Sequence, residues 1–110
     1  MLTRLDEISL QRLLAQQFAP ADYVAWLREN GWGTLGPDSY VLYSALTPMQ
    51  DVHDMAPPGY WSFGDDMSGY SGCFAENGDG LVYEWDSSLA EMDATGLRFA
   101  AFIARHARAP

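Results

Sequence analysis

The sequence has no lysine and only six arginines, against fifteen aspartates and glutamates, so its formal net charge is −9. The arginines lie near the two termini, and positions 29–97 contain no lysine or arginine at all. Nucleic acids and anionic membranes bind proteins mainly through lysine and arginine, so neither is an expected partner. A charged partner is expected to be basic. A solvated surface that simply keeps a small protein soluble would show the same excess of acids, and this alternative stays open.

Cysteine and long apolar runs are also scarce. Cys73 is the only cysteine, which excludes an internal disulfide. No apolar run reaches the roughly 18 residues of a membrane helix, and Asp6 and Glu7 stand where a secretion signal would be apolar. These absences predict a cytoplasmic protein. Aromatic residues make up 14% of the 110 residues, so we expect one domain, spanning 1–110, that is stabilised by packing.

Three segments show the periodicity of amphipathic helices. Apolar residues recur at spacings of three and four over about 5–18, 20–30 and 95–107. Thr3 or Asp6 could cap the first helix, and Asn30-Gly31 is expected to end the second. The third helix is expected to begin near Asp93 or Thr95.

The region between the second and third helices reads as strands and turns. Strand-forming residues occupy 39–44, 60–64, 70–75 and 81–86, and glycine-rich and aspartate-rich turns separate the last three strands. A proline-rich loop is expected at 47–59. The predicted class is therefore α+β: N-terminal helices, a central antiparallel meander sheet of about four to six short strands over about 39–86, and a C-terminal helix packed on the sheet. In the last strand we expect Leu81, Tyr83 and Trp85 on an apolar core face, and Val82, Glu84 and Asp86 on a face that carries carboxylates.

His53 is the central histidine, and it lies between Asp51 and Asp54. Such a triplet could bind a metal or form a general base. A zinc site needs three or four ligands, and only Cys73 and His106 could supply further nitrogen or sulfur donors. Cys73 with His53 could also form a nucleophile and base, but Cys73 lies in a predicted strand without an activating motif. We therefore predict a solvated loop, a packed cysteine and no metal site.

The turn after the second strand of the meander resembles part of a calcium loop. Counting from Ala75, the residues Asn77, Asp79, Gly80 and Asp86 match four ligand or turn positions. Ala75 offers no side-chain oxygen at the first position, and the flanking segments are predicted strands instead of helices. We interpret the segment as a hairpin turn. Phosphate-binding and nucleophile-elbow motifs are also absent from the sequence, so we predict a protein that is not an enzyme and uses no cofactor.

The order of several short motifs resembles the SUKH superfamily. The motifs are a Pro-x-Asp-Tyr helix start at Pro20, an aromatic strand followed by Gly-Asp-Asp at 64–66, and a Val-Tyr-x-Trp-Asp strand at 82–86. A closing Phe-Ala-Ala-Phe-Ile segment at 99–103 completes the likeness, which spans roughly 19–105. Members of this superfamily are known mainly as immunity proteins of bacterial polymorphic toxin systems, and some are fungal cell-wall regulators.

The resemblance implies a non-catalytic protein that binds one cognate toxin and neutralises it. Without an export signal, it would meet that toxin in the cytoplasm, where nucleases and other nucleic-acid-modifying or nucleotide-modifying toxins act. Toxins that attack nucleic acids need basic surfaces, so an acidic inhibitor would be attracted to the substrate groove of its target. The candidate toxin-binding residues are Asp65, Asp66, Glu76, Asp79, Glu84, Asp86 and Tyr60, with Tyr70 and Trp32 as further anchors. Reversing the charges of Glu84 and Asp86 is predicted to weaken binding without unfolding the domain.

Two other functions stay open. A general acidic binding module or DNA mimic would bind several unrelated basic proteins, and its binding would weaken steeply with salt. An enzyme built around His53 would require a pocket that gathers His53 with Asp51 and Asp54. A monomer or a weak homodimer is expected in each case.

Overall fold

The computed structural model describes residues 2–16, 18–36 and 40–107, with side chains as far as Arg105. Ser39, at the start of a predicted strand, and the side chain of His106 lie outside the described residues. The secondary-structure elements follow in the order β1 (Leu2–Thr3), α1 (Glu7–Ala15), α2 (Ala21–Asn30), β2 (Trp32–Leu35), β3 (Tyr40–Pro48), α3 (Met49–Val52), β4 (Tyr60–Asp65), β5 (Tyr70–Ala75), β6 (Leu81–Asp86), β7 (Glu91–Arg98) and α4 (Phe99–Ala107).

Within the described ranges, seven strands form one antiparallel sheet in the order β1 to β7. Each strand pairs with the next one along the chain, which confirms the predicted α+β class and its meander. The expected four to six strands were too few. The prediction omitted β1 and β2 because they have only two and four residues, too few to show an alternating pattern.

The segment before α4 is a strand and not the start of a helix. Pairing with β6 holds residues 91–98 extended as β7, and α4 begins only at Phe99. Thr95 stabilises a bulge in β7, since its Oγ1 donates to the carbonyl of Val82 at 2.8 Å and accepts from the N–H of Leu97 at 3.1 Å. The helical spacing of apolar residues in this segment therefore misplaced the start of the helix by about four residues.

The main core lies between the helices and one face of the sheet. Leu13 of α1, Tyr23 and Leu27 of α2, and Phe99, Phe102 and Ile103 of α4 pack with Leu42, Phe63, Phe74 and Val82 of the strands. Asp6 caps α1 as predicted, because its Oδ1 accepts from the N–H of Ser9 at 2.7 Å. No helix in the described part of the chain is long and apolar enough to cross a bilayer.

Gly31 ends α2 and allows the chain to enter β2 beside β1. Its N–H donates to the carbonyl of Leu27 at 2.8 Å, and its φ of +96° lies where only glycine is unstrained. A Cβ at this position would collide with the backbone carbonyl of Thr3. The predicted helix end is thus confirmed.

The opposite face of the sheet carries a second, smaller core. Met49 and Ala56, from the segment that contains α3, cover Cys73 and Trp85 there. This finding corrects two predictions. In the expected loop 47–59, residues 47–48 end β3 and residues 49–52 are helical, and both faces of β6 are covered. Val82 is fully buried in the main core, whereas Trp85 is 3% exposed in the second core. The alternation within β6 could not reveal that a distant loop folds over its other face.

Candidate protein-binding site

The predicted toxin-binding residues do not form one surface. The β4–β5 and β6–β7 turns lie at the same end of the meander, and the N–H of Ser87 donates to the carbonyl of Gly69 at 2.9 Å between them. We call this end the acidic end; it brings together Asp65, Asp66 and Asp86 with Tyr70. Glu76 and Asp79 belong to the β5–β6 turn at the opposite end of the sheet.

The carboxylates of the acidic end also build its turns. Oδ1 of Asp66 accepts from the N–H groups of Ser68 and Tyr70 at 2.8 and 3.1 Å. Oδ1 of Asp86 accepts from the N–H and the hydroxyl of Ser88 at 2.9 and 2.6 Å, and from the N–H of Leu89 at 3.3 Å. The hydrogen bond from the Ser88 hydroxyl is the main reason that the pKa of Asp86 lies below its ordinary value. Asp86 therefore stays ionised at neutral pH, although it is only 6% exposed.

Tyr70 lies in a negative field at the acidic end. The charge of Asp86 and a hydrogen bond to it raise the pKa of the Tyr70 hydroxyl, and the charges of Asp66 and Glu84 add to the effect. The side chain is nevertheless 42% exposed. An aromatic ring thus projects from a region where three carboxylates act on it.

A cavity of about 270 Å³ opens at the acidic end, on the face of the sheet that α3 covers. The ring of Tyr70 lies on the other face, because Tyr70 alternates with Ser71 and pairs with Asp86. The cavity is lined by Val52, His53, Asp65, Met67, Gly69, Tyr70 and Ser71. Cavities that hold drug-sized ligands measure about 300–1,000 Å³, so the volume of this one lies just below that range.

Three hydrogen bonds hold the polar groups of the cavity in place. Oδ2 of Asp65 accepts from the hydroxyl of Tyr43 at 2.6 Å, while its Oδ1 accepts from the N–H of Met67 at 2.9 Å. Nε2 of His53 lies 2.9 Å from Oγ of Ser71, which ties the α3 segment to β5. Ser71 is fully buried, so its hydroxyl cannot contact a substrate. The contact between His53 and Ser71 therefore has a structural role and is unsuited to nucleophilic catalysis.

Met67 is the site residue that sequence reasoning missed. It is 71% exposed at the mouth of the cavity, and its φ of +64° is strained for a residue other than glycine. Val52, which is 37% exposed, lies in α3, and Leu89, which is 65% exposed, lies in the β6–β7 turn. A methionine inside the polar turn Gly-Asp-Asp-Met-Ser-Gly was the available signal, since most turn residues are small or polar.

The remaining predicted residues have mainly structural contacts. Oε1 of Glu76 accepts from Nε1 of Trp61 at 3.2 Å, and Oδ1 of Asp79 accepts from the N–H of Leu81 at 3.1 Å. Tyr60 packs on Tyr83 with ring centroids 5.5 Å apart, in the second core. The segment 76–80 is a turn between two strands, as predicted.

Glu84 and Trp32 also lie away from the acidic end. Glu84 is half-buried in the middle of β6 opposite Gly72, on the face that the helices cover. Trp32 is half-buried against the main core. Because Asp86 is buried and bonded within its turn, reversing the charges of Glu84 and Asp86 would disturb the fold as well as the surface. That pair is therefore a poor test of binding.

Cys73 and His53 contact different residues. Burial raises the pKa of the Cys73 thiol from 9.0 to about 12, which leaves it protonated and unreactive at neutral pH. Its Sγ lies 3.5 Å from Sδ of Met92. His53 contacts Ser71 instead, and the cavity that it lines contains Asp65, not Asp51 or Asp54. Among the described residues, no group of three or more His, Cys, Asp or Glu side chains could hold a metal ion.

Compared with protein-family models, curated proteins and solved structures, the chain matches none of them.

Proposed function

We propose that this protein binds and neutralises a protein toxin that acts in the cytoplasm and carries a basic surface for nucleic acids or nucleotides. The observation that carries the proposal is the acidic end itself, where Asp65, Asp66 and Asp86 lie beside the exposed side chains of Met67 and Tyr70. The SUKH-like order of motifs supports the same function.

The charges of the acidic end lack an internal counter-ion along the sheet. Positions 29–97, which include β2 to β6 and most of β7, contain no lysine or arginine. Carboxylates fixed by turn hydrogen bonds are arranged before a partner arrives, so they attract a basic surface without losing side-chain entropy on binding. Such a field accelerates association with a basic partner.

Exposed apolar side chains supply what charge alone does not. Protein interfaces are held by a few aromatic and apolar anchors that are surrounded by polar groups. Tyr70, Met67 and Leu89 project 42%, 71% and 65% of their surfaces into solvent at or beside the acidic end. This combination favours a stable complex over a purely electrostatic one.

A general DNA mimic is the second candidate. The carboxylates at both ends of the sheet favour it, since a mimic needs negative charge along an extended surface. It differs from a dedicated inhibitor in depending on charge alone.

The first experiment is a rescue assay with the toxin candidate encoded beside the gene. Its C-terminal region is expressed in the cytoplasm with and without this protein, and the pair is then purified at low and high salt. We expect rescue of growth and a complex that survives high salt. Failure of rescue in the presence of a toxic product contradicts the proposal, and a complex that forms with several basic proteins but dissolves in salt favours the mimic.

A matched pair of double variants locates the binding surface. Asp66→Asn with Asp86→Asn removes two charges from the acidic end, and the amide Oδ1 of each asparagine can still accept the turn hydrogen bonds. Glu76→Gln with Asp79→Asn removes two charges from the opposite end with the same preservation of acceptors. We expect association with the toxin to slow by about tenfold in the first variant and by less than about twofold in the second.

Stopped-flow association and urea unfolding would be measured on both variants. Equal effects at the two ends, with equal stabilities, would show that net charge alone matters and that the acidic end is not the binding surface.

A further inference from the structure

Both asparagines of this chain are followed by glycine. Asn30 precedes Gly31 at the end of α2, and Asn77 precedes Gly78 in the β5–β6 turn. An Asn-Gly pair is intrinsically reactive, because the backbone nitrogen of the glycine can attack the asparagine side chain and glycine has no Cβ to hinder it. The dipeptide is the same at both sites, so a difference in reactivity between them must come from the fold.

We propose that Asn77 is a site of spontaneous deamidation and that the fold protects Asn30 from the same reaction. At Asn77, the backbone nitrogen of Gly78 loses its proton and forms a bond to Cγ of the asparagine. The bond between Cγ and the side-chain nitrogen breaks, and ammonia leaves. Water then opens the cyclic succinimide at either carbonyl, so position 77 becomes aspartate or isoaspartate.

The nitrogen that would attack Asn30 is held inside the structure. The N–H of Gly31 donates to the carbonyl of Leu27 at 2.8 Å, and Gly31 is buried where a Cβ would collide with the carbonyl of Thr3. The side-chain amide of Asn30 donates to the carbonyl of Trp26 at 3.0 Å. Ring closure would break both hydrogen bonds, so it requires a local opening of the last turn of α2.

The nitrogen that attacks Asn77 lies at the surface. Asn77 and Gly78 are both exposed, as are the residues on either side of them, Glu76 and Asp79. The N–H of Gly78 donates to the carbonyl of Ala75 at 3.1 Å, across a turn and not within a helix or a ladder. Exposed turns open at a lower free energy than packed elements do. Asn77 therefore reaches the reactive geometry more often than Asn30.

The product changes the charge and the length of the β5–β6 turn. It adds a negative charge beside Glu76 and Asp79 in a protein whose formal net charge is already −9, and isoaspartate also lengthens the backbone by one methylene. This turn lies at the end of the sheet opposite the acidic end. The reaction thus produces charge variants that keep the acidic end unchanged.

The test follows the purified full-length protein by mass spectrometry during incubation in mildly alkaline buffer. Trypsin would leave both asparagines in one peptide, because positions 29–97 contain no lysine or arginine. A protease that cleaves after glutamate separates them into the peptides 30–76 and 77–84. Replacement of an amide by an acid raises the mass of the affected peptide by one unit. Circular dichroism during the incubation verifies that the protein stays folded.

We expect Asn77 to react about tenfold faster than Asn30, or more, in the folded protein, because each factor of ten needs only a small free energy of local opening at Asn30. In concentrated urea the two rates should become similar, since both sites then lack structure. Equal rates in the folded protein would overturn the proposal. So would a folded protein that does not react at Asn77 while the urea-unfolded chain reacts at both sites.

Two glutamine variants form a matched pair of controls. Asn77→Gln keeps an amide but would have to close a larger ring, so the folded variant should lose the fast reaction. Asn30→Gln should leave the fast reaction unchanged. A fast reaction that persists in Asn77→Gln and disappears in Asn30→Gln would assign the modification to the wrong end of the sheet and contradict the proposal.

Discussion

Asp66 and Asp86 each combine a structural and an electrostatic role in one side chain. The Oδ1 atom of each closes a turn by accepting backbone N–H groups, and the charge of the carboxylate still acts on Tyr70. Aspartate at such positions is usually explained by turn formation alone. Here the same residues also act on the potential at the exposed ring, so the structural and electrostatic roles of an acid cannot be separated by reversing its charge. The amide variants separate them because they keep the acceptor.

Tyr23 presents the clearest single-residue prediction. Its ring packs between Phe74 and Phe99, with centroids 5.3 and 5.0 Å away, and its hydroxyl is buried without a hydrogen-bond partner among the described residues. A buried hydroxyl without a partner lowers stability, so Tyr23→Phe should raise the free energy of unfolding by about 1 kcal/mol. The midpoint of thermal unfolding should rise by about 4–8 °C.

Tyr43→Phe is the control for this substitution. The hydroxyl of Tyr43 donates to Asp65 at 2.6 Å, so its removal should lower stability instead of raising it. Calorimetry and urea unfolding of both variants would test the contrast. A destabilised Tyr23→Phe protein would mean that the Tyr23 hydroxyl has a favourable contact.

At the scale of elements, α4 depends on a residue that lies 77 positions earlier in the chain. Oδ2 of Asp22, in the first turn of α2, accepts from the N–H of Phe99 at 3.1 Å. This bond caps α4 from a neighbouring helix instead of from the preceding residues. It joins the N-terminal end of α2 to the N-terminal end of α4.

Replacing Asp22 should therefore loosen α4. Asp22→Ala should lower the free energy of unfolding by about 1 kcal/mol, the usual cost of a lost helix cap. Hydrogen exchange should accelerate in the first turn of α4 more than in α1. Asp22→Asn keeps an acceptor oxygen and should retain most of the stability; an equal loss in both variants would assign the effect to the charge at the start of α2.

The outer strand β7 has features that oppose pairing with a second chain. Its ladder with β6 shifts register between Leu81 and Tyr83, and Glu91 and Asp93 of β7 are exposed. Bulges and charges of this kind limit edge-to-edge association. An interaction through the acidic end is thus expected to leave this edge unpaired.

For the whole molecule, groups that are protonated in the folded state predict a loss of stability at high pH. Burial raises the pKa of the hydroxyls of Tyr23, Tyr40 and Tyr43 above 10.0, and that of the Cys73 thiol from 9.0 to about 12. Each group holds its proton more tightly when folded, so above its unfolded pKa the unfolded chain carries fewer protons and the free energy of unfolding falls as pH rises. The full stability is present below about pH 9. Above its unfolded pKa, each group whose pKa is raised in the folded state lowers the free energy of unfolding by about 1.4 kcal/mol per pH unit.

Urea unfolding between pH 7 and pH 11 would measure this decline. The Tyr23→Phe variant serves as the control, because it lacks one of these groups and its stability should fall less steeply above pH 10. A stability that stays constant up to pH 11 would contradict the assignment.

Sequence alone determined the α+β class, the meander and most helix and strand positions, because these follow from local signals. Periodic apolar residues, the Asp6 cap and the Asn30-Gly31 stop act within a few residues of where they stand. The strands that were missed are short or contradict their local pattern, as β7 does, since its extended form depends on the ladder with β6. Likewise, the second core exists because the segment 49–56 returns over the sheet, and no spacing within β6 records that contact.

For the candidate site, too, the sequence predicted one part and the tertiary structure decided the other. Composition and charge distribution identified an acidic protein and led to the prediction of a basic partner. Only the tertiary structure decided which acids share a surface: the β4–β5 and β6–β7 turns meet through the Ser87–Gly69 hydrogen bond, whereas Glu76 and Asp79 lie at the other end of the sheet. Alternate turns of an antiparallel meander must lie at the same end, and the return of the α3 segment encloses the cavity that His53 and Asp65 line. The sequence supplies the charges, and the topology of the sheet decides where they combine.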